Sequence, residues 1–289
     1  MDAIIDLSKR LNKASEKKYY NPYDLFDWPA SIDSTHWCFS PELMSCHETD
    51  IAAGMDEQQL KKLSFWESVN FFSLNIHGEK YLVGNMVRYL YLNWPADISE
   101  YLHHFIDEEN KHMTLFGSYC SRYAKVYPDK KMVFASERER SQEDLLFFVR
   151  MTIFEELVDY FNVKMGNDDR LDPLVRQINL NHHRDEARHL MFGRKIIQYL
   201  MDTHWSRWSS EDQQALRDYI RGYFQMTWRQ YYNPTMYEDA GLEGGYDIYT
   251  TLWAHPKAID ARASASAACV DFLKDVNLVE GSGEDCYAG

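Results

Sequence analysis

Residues 182–189 read His-His-Arg-Asp-Glu-Ala-Arg-His, and the spacing of His182, Glu186 and His189 decides the fold. At about 100° per residue the three side chains fall near 0°, 40° and −20° on a helix, so all can converge on one point. A second stretch, Asp107-Glu108-Glu109-Asn110-Lys111-His112, sets Glu109 and His112 one turn apart on another predicted helix. Two isolated glutamates, Glu79 and Glu155, occupy two more. Four carboxylates and three imidazoles on four helices are what a two-metal centre inside a helical bundle requires.

Working outward, Asp56-Glu57 open a long helix that is expected to end near Asn93, before Trp94-Pro95. Its stripe is Phe65, Val69, Phe72, Ile76, Glu79, Val83, Val87 and Leu90, apolar but for one glutamate. The next helix, about Ala96 to Val126, carries Ile98, Leu102, Phe105, Glu109, His112, Phe116 and Tyr119. A polar loop from Pro128 to Arg140 leads to a third helix, Gln142 to Lys164. Asp172-Pro173 reads as an N-cap with proline at the first helical position, starting the fourth helix, which runs to Asp202. A short amphipathic helix is expected over 1–18, with Ile4, Leu7 and Leu11 on one face, and an irregular wrap over 19–55. Ser209 or Ser210 caps a fifth helix to Tyr231, ended by Asn233-Pro234; Gly241 to Gly245 mark a loop, and a last helix spans Lys257 to Val276. The expectation is all-α: one helical domain over 1–289, a metal-binding four-helix core over 56–203, additional N- and C-terminal helices, and a disordered tail at 281–289.

A carboxylate in an apolar stripe is costly unless paired, hydrogen-bonded or bound to metal. Repeating that cost on several facing helices is most simply explained by cations between them. Four carboxylates balance two divalent ions, and oxygen and imidazole donors without thiolate suit iron or manganese. On the third helix periodicity leaves two candidates open, because Val149, Ile153, Glu156 and Tyr160 form as good a stripe as one through Glu155. His77 points about 160° from Glu79 and reads as a core or surface residue. His103, His104 and His183 read as ordinary polar residues. Glu108 lies about 100° off the Glu109 stripe, either exposed or behind the ligands. Asp185 either accepts a hydrogen bond from a ligand histidine or pairs with Arg184 or Arg188.

Composition narrows the function classes. Hydrophobic residues make up 45%, with 20 Tyr, 15 Phe and 8 Trp, which indicates a folded aromatic interior. The formal charge of −14 argues against nucleic acid or an anionic membrane as partner. Cys38, Cys46, Cys120, Cys269 and Cys286 form no C-x-x-C pair, so neither a disulfide framework nor a thiolate zinc site is expected, and a reducing cytoplasm fits. The first residues lack a signal-peptide pattern, and no run of 18 apolar residues occurs. Neither a dinucleotide-binding glycine motif nor an iron–sulfur cysteine cluster is present, so electrons must come from an external donor or from the substrate.

His77-Gly-Glu-Lys-Tyr-Leu82, Asp107 to His112, Phe154-Glu-Glu-Leu-Val158 and His182 to His189 resemble the diiron p-aminobenzoate N-oxygenase family of arylamine oxygenases. The His-x-x-x-Glu-x-x-His helix carries most of that resemblance, since ordinary ferritin-like diiron proteins have only Glu-x-x-His there. The similarity covers roughly residues 60–200, and its spacing from Glu155 through Pro173 to His189 selects Glu155 over Glu156. It implies a ferritin-like four-helix bundle with metal ligands Glu79, Glu109, His112, Glu155, His182, Glu186 and His189. It also implies two irons, with O2 as co-substrate. The implied activity is oxygenation of a small-molecule amine, to hydroxylamine, nitroso or nitro, through a peroxo-diferric intermediate. A bundle of this kind often dimerises along its long helices, which makes a homodimer an expected assembly. The ligand set also admits a diiron oxygenase acting at carbon (hydroxylation, desaturation or oxidative cleavage of an amino-acid-derived or carrier-bound substrate). A metal-storing or sensing protein without catalysis and a radical-generating subunit remain further alternatives; the latter needs a tyrosine near the metals that the sequence does not single out.

Overall fold

The computed structural model describes residues 1–92, 94–129 and 138–288, so most of the polar loop expected over 128–140 lies outside the described residues. Ten α-helices follow one another among the described residues: α1 (Asp2–Lys17), α2 (Asp50–Ala53), α3 (Glu57–Met86), α4 (Ala96–Tyr123), α5 (Arg140–Gly166), α6 (Pro173–His204), α7 (Ser210–Tyr231), α8 (Pro234–Asp239), α9 (Gly245–Ala254) and α10 (Pro256–Asp275). No strand occurs among the described residues. The fold is all-α, with α3 to α6 as its four long core helices.

Local signals explain most boundaries. Asp56 caps α3 in a capping box with Gln59, each side chain bonding the other's backbone N–H. Asp172 caps α6 by accepting from Leu174 N and Val175 N, with Pro173 at the first position. Ser209 caps α7. Two ends come earlier than the apolar pattern implies. α3 stops at Met86 and passes into a 3-10 turn over Val87–Tyr89, after which Leu90 is extended (ψ 126°) and Tyr91 takes the left-handed conformation (φ 59°) that no helix continues through. α4 stops at Tyr123, since Ala124 leaves the helical region at φ −156°.

α8 falls just after the expected stop, and α9 follows the loop expected at Gly241 to Gly245, over residues to which the sequence reading gives no element. Asn233-Pro234 ends α7 and also starts α8: Asn233 Oδ1 accepts from Thr235 N at 3.2 Å, the same Asx-Pro signal that opens α6. α9 then lies against α8 so closely that a Cβ on Gly245 would meet Pro234 O at 2.2 Å. The segment expected as a disordered tail, 281–289, also folds back through residue 288. It forms a 3-10 turn over Glu284–Cys286, buries Cys286, and its Tyr287 O accepts from Arg262 Nε at 2.7 Å. The reason is long-range: a buried guanidinium on α10 needs an acceptor, and the polar tail supplies it.

The irregular stretch between α1 and α3 does wrap the bundle. Trp37 N donates to Arg170 O at 3.3 Å and Asp172 N donates back to Trp37 O at 2.8 Å, which pins the wrap to the α5–α6 turn. Phe71, Phe72, Phe105, Phe116, Phe148 and Phe192 are essentially inaccessible and fill the bundle interior. Each contributes about 1.5–3 kcal/mol by leaving water. All five cysteines are buried and unpaired.

One carboxylate sits in this interior far from the other acids of the bundle. Glu67, on α3, accepts from Ser45 N at 3.1 and 3.2 Å and from Ser45 Oγ at 2.5 Å. Burial pushes its pKa up from 4.5 to about 7, against the opposing hydrogen bonds from Ser45. Between those values the folded state holds a proton that the unfolded chain has released. Stability therefore falls as pH rises from 4.5 to 7 and stays lower above that. Glu67→Gln is expected to stabilise the protein by up to about 3 kcal/mol at pH 8 and by almost nothing at pH 4.5. Denaturant melts at the two pH values check this, and equal effects at both would contradict it.

Candidate metal centre

α3, α4, α5 and α6 each aim acidic or imidazole side chains at the bundle axis. α3 gives Glu79, α4 gives Glu109 and His112, α5 gives Glu155, and α6 gives His182, Glu186 and His189. All seven are at most 2% exposed. A close helix approach places the single glutamates: a Cβ on Gly78 would lie 2.2 Å from the Phe154 ring, so glycine lets α3 and α5 seat Glu79 and Glu155 side by side.

The seven fall into two groups. Glu79, His112 and His182 offer atoms within 4.8 Å of one another, and so do Glu109, Glu155, Glu186 and His189. Glu109 and Glu186 lie between the groups. Glu109 Oε2 is 3.6 Å from His112 Nδ1 while its Oε1 is 2.8 Å from His189 Nδ1. Glu186 Oε1 is 2.7 Å from His182 Nε2, 3.6 Å from His189 Nδ1 and 3.7 Å from His112 Nδ1.

Both oxygens of Glu79, Glu109, Glu155 and Glu186, and the Nδ1 atoms of His112 and His189, are buried without a well-formed hydrogen bond. Buried polar atoms are almost always satisfied, and so many orphans in one place call for cations that the side chains themselves do not provide. Two divalent ions would satisfy these atoms and balance four carboxylates, so the residues fit a dimetal group. Without such ions, protons balance the charge. Burial raises Glu79 to about 8 and Glu155 well above the carboxylate range. Burial also opposes the charged forms of His182 and Glu186, but their mutual attraction wins, holding His182 at about 9 and Glu186 well below its ordinary value.

The outward-facing nitrogens of the histidines are each held. His112 Nε2 lies 3.0 Å from Asp185 Oδ2 and His189 Nε2 lies 2.9 Å from Glu108 Oε2. Arg188 joins the two acids, its Nη2 donating to Glu108 Oε1 at 2.6 Å and Asp185 Oδ1 at 2.5 Å. Tyr20, from the wrap, donates to Asp185 Oδ2 at 3.3 Å. Carboxylates behind imidazoles fix the tautomer that leaves the inner nitrogen free for a metal. His182 Nδ1 lies 2.9 Å from Asn162 Nδ2, and the adjacent Asn162 Oδ1 has no partner. Turning that amide over would let Asn162 accept from Nδ1–H and free Nε2 for metal.

Glu156, the other candidate on α5, turns away and pairs with Arg194. Asp185 takes both roles open to it in the sequence, and Glu108 is buried behind the cluster. His77 bonds Tyr127 O at 2.7 Å, His103 meets Tyr91 OH at 3.0 Å and His183 pairs with Asp159 at 2.7 Å, all outside the cluster. Sequence reasoning missed Asn162, Tyr20 and the bridging role of Arg188. One signal was available: an acid precedes the in-between glutamate on both helices, Glu108 before Glu109 and Asp185 before Glu186.

The family model for P-aminobenzoate N-oxygenase AurF matches residues 3–277 of this chain. Among solved structures, similar ones are R2-like ligand-binding oxidases reconstituted with Mn/Fe. A valine-to-leucine mutant, aerobically reconstituted, has 14% identity and a TM-score of 0.54, covering 96% of this chain and 93% of that one. A tyrosine-to-phenylalanine mutant, also aerobic, has 14% identity and a TM-score of 0.53 over the same shares. A valine-to-isoleucine mutant, anaerobically reconstituted, has 16% identity and a TM-score of 0.52, covering 90% and 92%. At such identity the likeness shows the ferritin-like fold. No curated protein matches the chain.

Proposed function

This chain belongs to the p-aminobenzoate N-oxygenase family, and from that premise we propose that it is an O2-dependent non-haem diiron oxygenase acting on the nitrogen of a small-molecule amine. The observation that carries the reading is the buried set of orphaned carboxylate and imidazole atoms on four facing helices. Glu79, His112 and His182 would hold one iron, Glu155 and His189 the other, with Glu109 and Glu186 between them. Bound there, the irons would supply O2 activation and oxygen transfer, chemistry that belongs to the cofactor. Manganese is a second candidate occupant, since the R2-like oxidases of the same fold are reconstituted with Mn/Fe.

The protein's own part is positional. Asp185 and Glu108 orient His112 and His189, Arg188 neutralises the two acids, and Asn162 steadies His182. Phe105, stacked on His189 at 3.7 Å, and Phe116, 4.9 Å from His182, keep water from the imidazoles. Reducing equivalents come from an external donor in this reading.

The test is product analysis. Iron-loaded protein, a reductant and isotopically labelled O2 are incubated with a panel of aryl and alkyl amines. A labelled oxygen on nitrogen is the expected result. Label found only on carbon would replace N-oxygenation with oxidation at carbon, and O2 consumption no greater than that of metal-free protein would end the oxygenase reading.

A further inference from the structure

A cavity of about 550 Å³ opens on the flank of the bundle, and none of the seven candidate metal ligands lines it. Its wall includes Phe71, Phe161, Trp228, Tyr231, Tyr232 and Glu67. Glu67 precedes Glu79 by twelve residues on α3, about 18 Å along the helix. The cavity is therefore a separate place in the molecule.

Glu67 is 5% exposed, and its only hydrogen-bond partner among the described residues is Ser45. No lysine, arginine or histidine among the described residues makes an ion pair with it, while two of the cations at the cavity mouth already have acids of their own. Arg170 pairs there with Glu42 and Asp168, and Lys257 with Glu48. Lys164 lies over the Tyr160 ring. Arg262, the other buried charge in the wall, donates to Tyr287 O, Tyr232 OH and Trp253 O and stacks on Trp253 at 4.2 Å. All three of its nitrogens are engaged.

What the cavity offers a ligand is thus a carboxyl group lacking a cation, surrounded by aromatic faces. A buried acid without a counter-charge is costly to keep. Aromatic faces attract cations, more strongly when water is excluded. An anion would meet the wrong charge at Glu67 and, at Arg262, a guanidinium already held by three protein acceptors. We propose that this cavity binds a protonated amine with a ring-sized apolar body, its ammonium group on Glu67 and its body against Phe71, Phe161 and Tyr231. The site does not depend on the metal centre or on the oxygenase reading.

Benzylamine serves as the probe at pH 8, with benzyl alcohol and phenylacetate as neutral and anionic counterparts. Binding to the metal-loaded full chain is followed by calorimetry and by the fluorescence of Trp228. Benzylamine is expected to bind at least tenfold more tightly than either counterpart. Glu67→Gln should bring it down to the affinity of benzyl alcohol, whose own binding should stay unchanged. Ala261→Trp fills the mouth from an exposed position of α10 and leaves the acid in place, so it should block benzylamine independently of Glu67. Metal-depleted Glu109→Ala protein should bind benzylamine as wild type does. Loss of binding in that variant would place the amine at the metal centre and overturn the proposal. Equal affinity for phenylacetate, or indifference to both cavity variants, would overturn it too.

Discussion

Glu109→Ala protein made in iron-replete cells is expected to contain only trace metal, where the wild type holds about two ions per chain. The reason is its position. Its two oxygens face His112 on one side and His189 on the other, so removing it takes a donor from both halves of the centre at once. Glu155→Ala strips one half only and should leave about one ion per chain. The affinity loss for Glu109→Ala should exceed the roughly 10–100-fold typical of removing a residue behind a ligand. Metal analysis and circular dichroism on the two variants check this together. Two ions retained in well-folded Glu109→Ala protein would remove the glutamate from the centre.

Arg188→Met should produce the largest loss of stability among single changes around the site. Arg188 is the cation shared by Asp185 and Glu108, which are 3% and 4% exposed. Without it, two buried carboxylates face each other with only imidazoles and the Tyr20 hydroxyl to answer them. Breaking a buried ion pair by removing one partner costs about 3–5 kcal/mol. Both acids hold candidate ligand histidines, so metal affinity should fall with stability, by about 10–100-fold. Chemical denaturation with and without metal separates the effects. Unchanged melting and metal content would mean that the two acids need no common cation.

Much of the centre was legible in the sequence, for a physical reason. A glutamate in an otherwise apolar helical stripe has few explanations, and Glu79, Glu109 and Glu186 each interrupt such a stripe. Periodicity left Glu155 and Glu156 undecided because both are shielded. Burial raises the pKa of each, and they differ only in facing the cluster or Arg194, a residue 38 positions away that no local pattern connects to them. The same limit hid Asn162 and Tyr20, which matter only through His182 and Asp185 on a distant helix. α8 escapes the sequence reading because Asn233-Pro234 signals a stop for α7, although Asn or Asp followed by proline also opens helices, as at α6; α9 starts at Gly245 with no side-chain cap to announce it.

The seven candidate ligands occupy a continuous span from residue 79 to residue 189, whereas the aromatic cavity takes its walls from both ends of the fold: Ser45 from the wrap, Tyr231 from α7 and Arg262 from α10. During synthesis the metal-binding bundle is therefore complete in sequence before the last wall of the cavity has been made. Arg262 stays short of an acceptor until Tyr287 arrives to give its carbonyl. A ribosome paused within α10 would carry all seven candidate ligands beside an unfinished cavity.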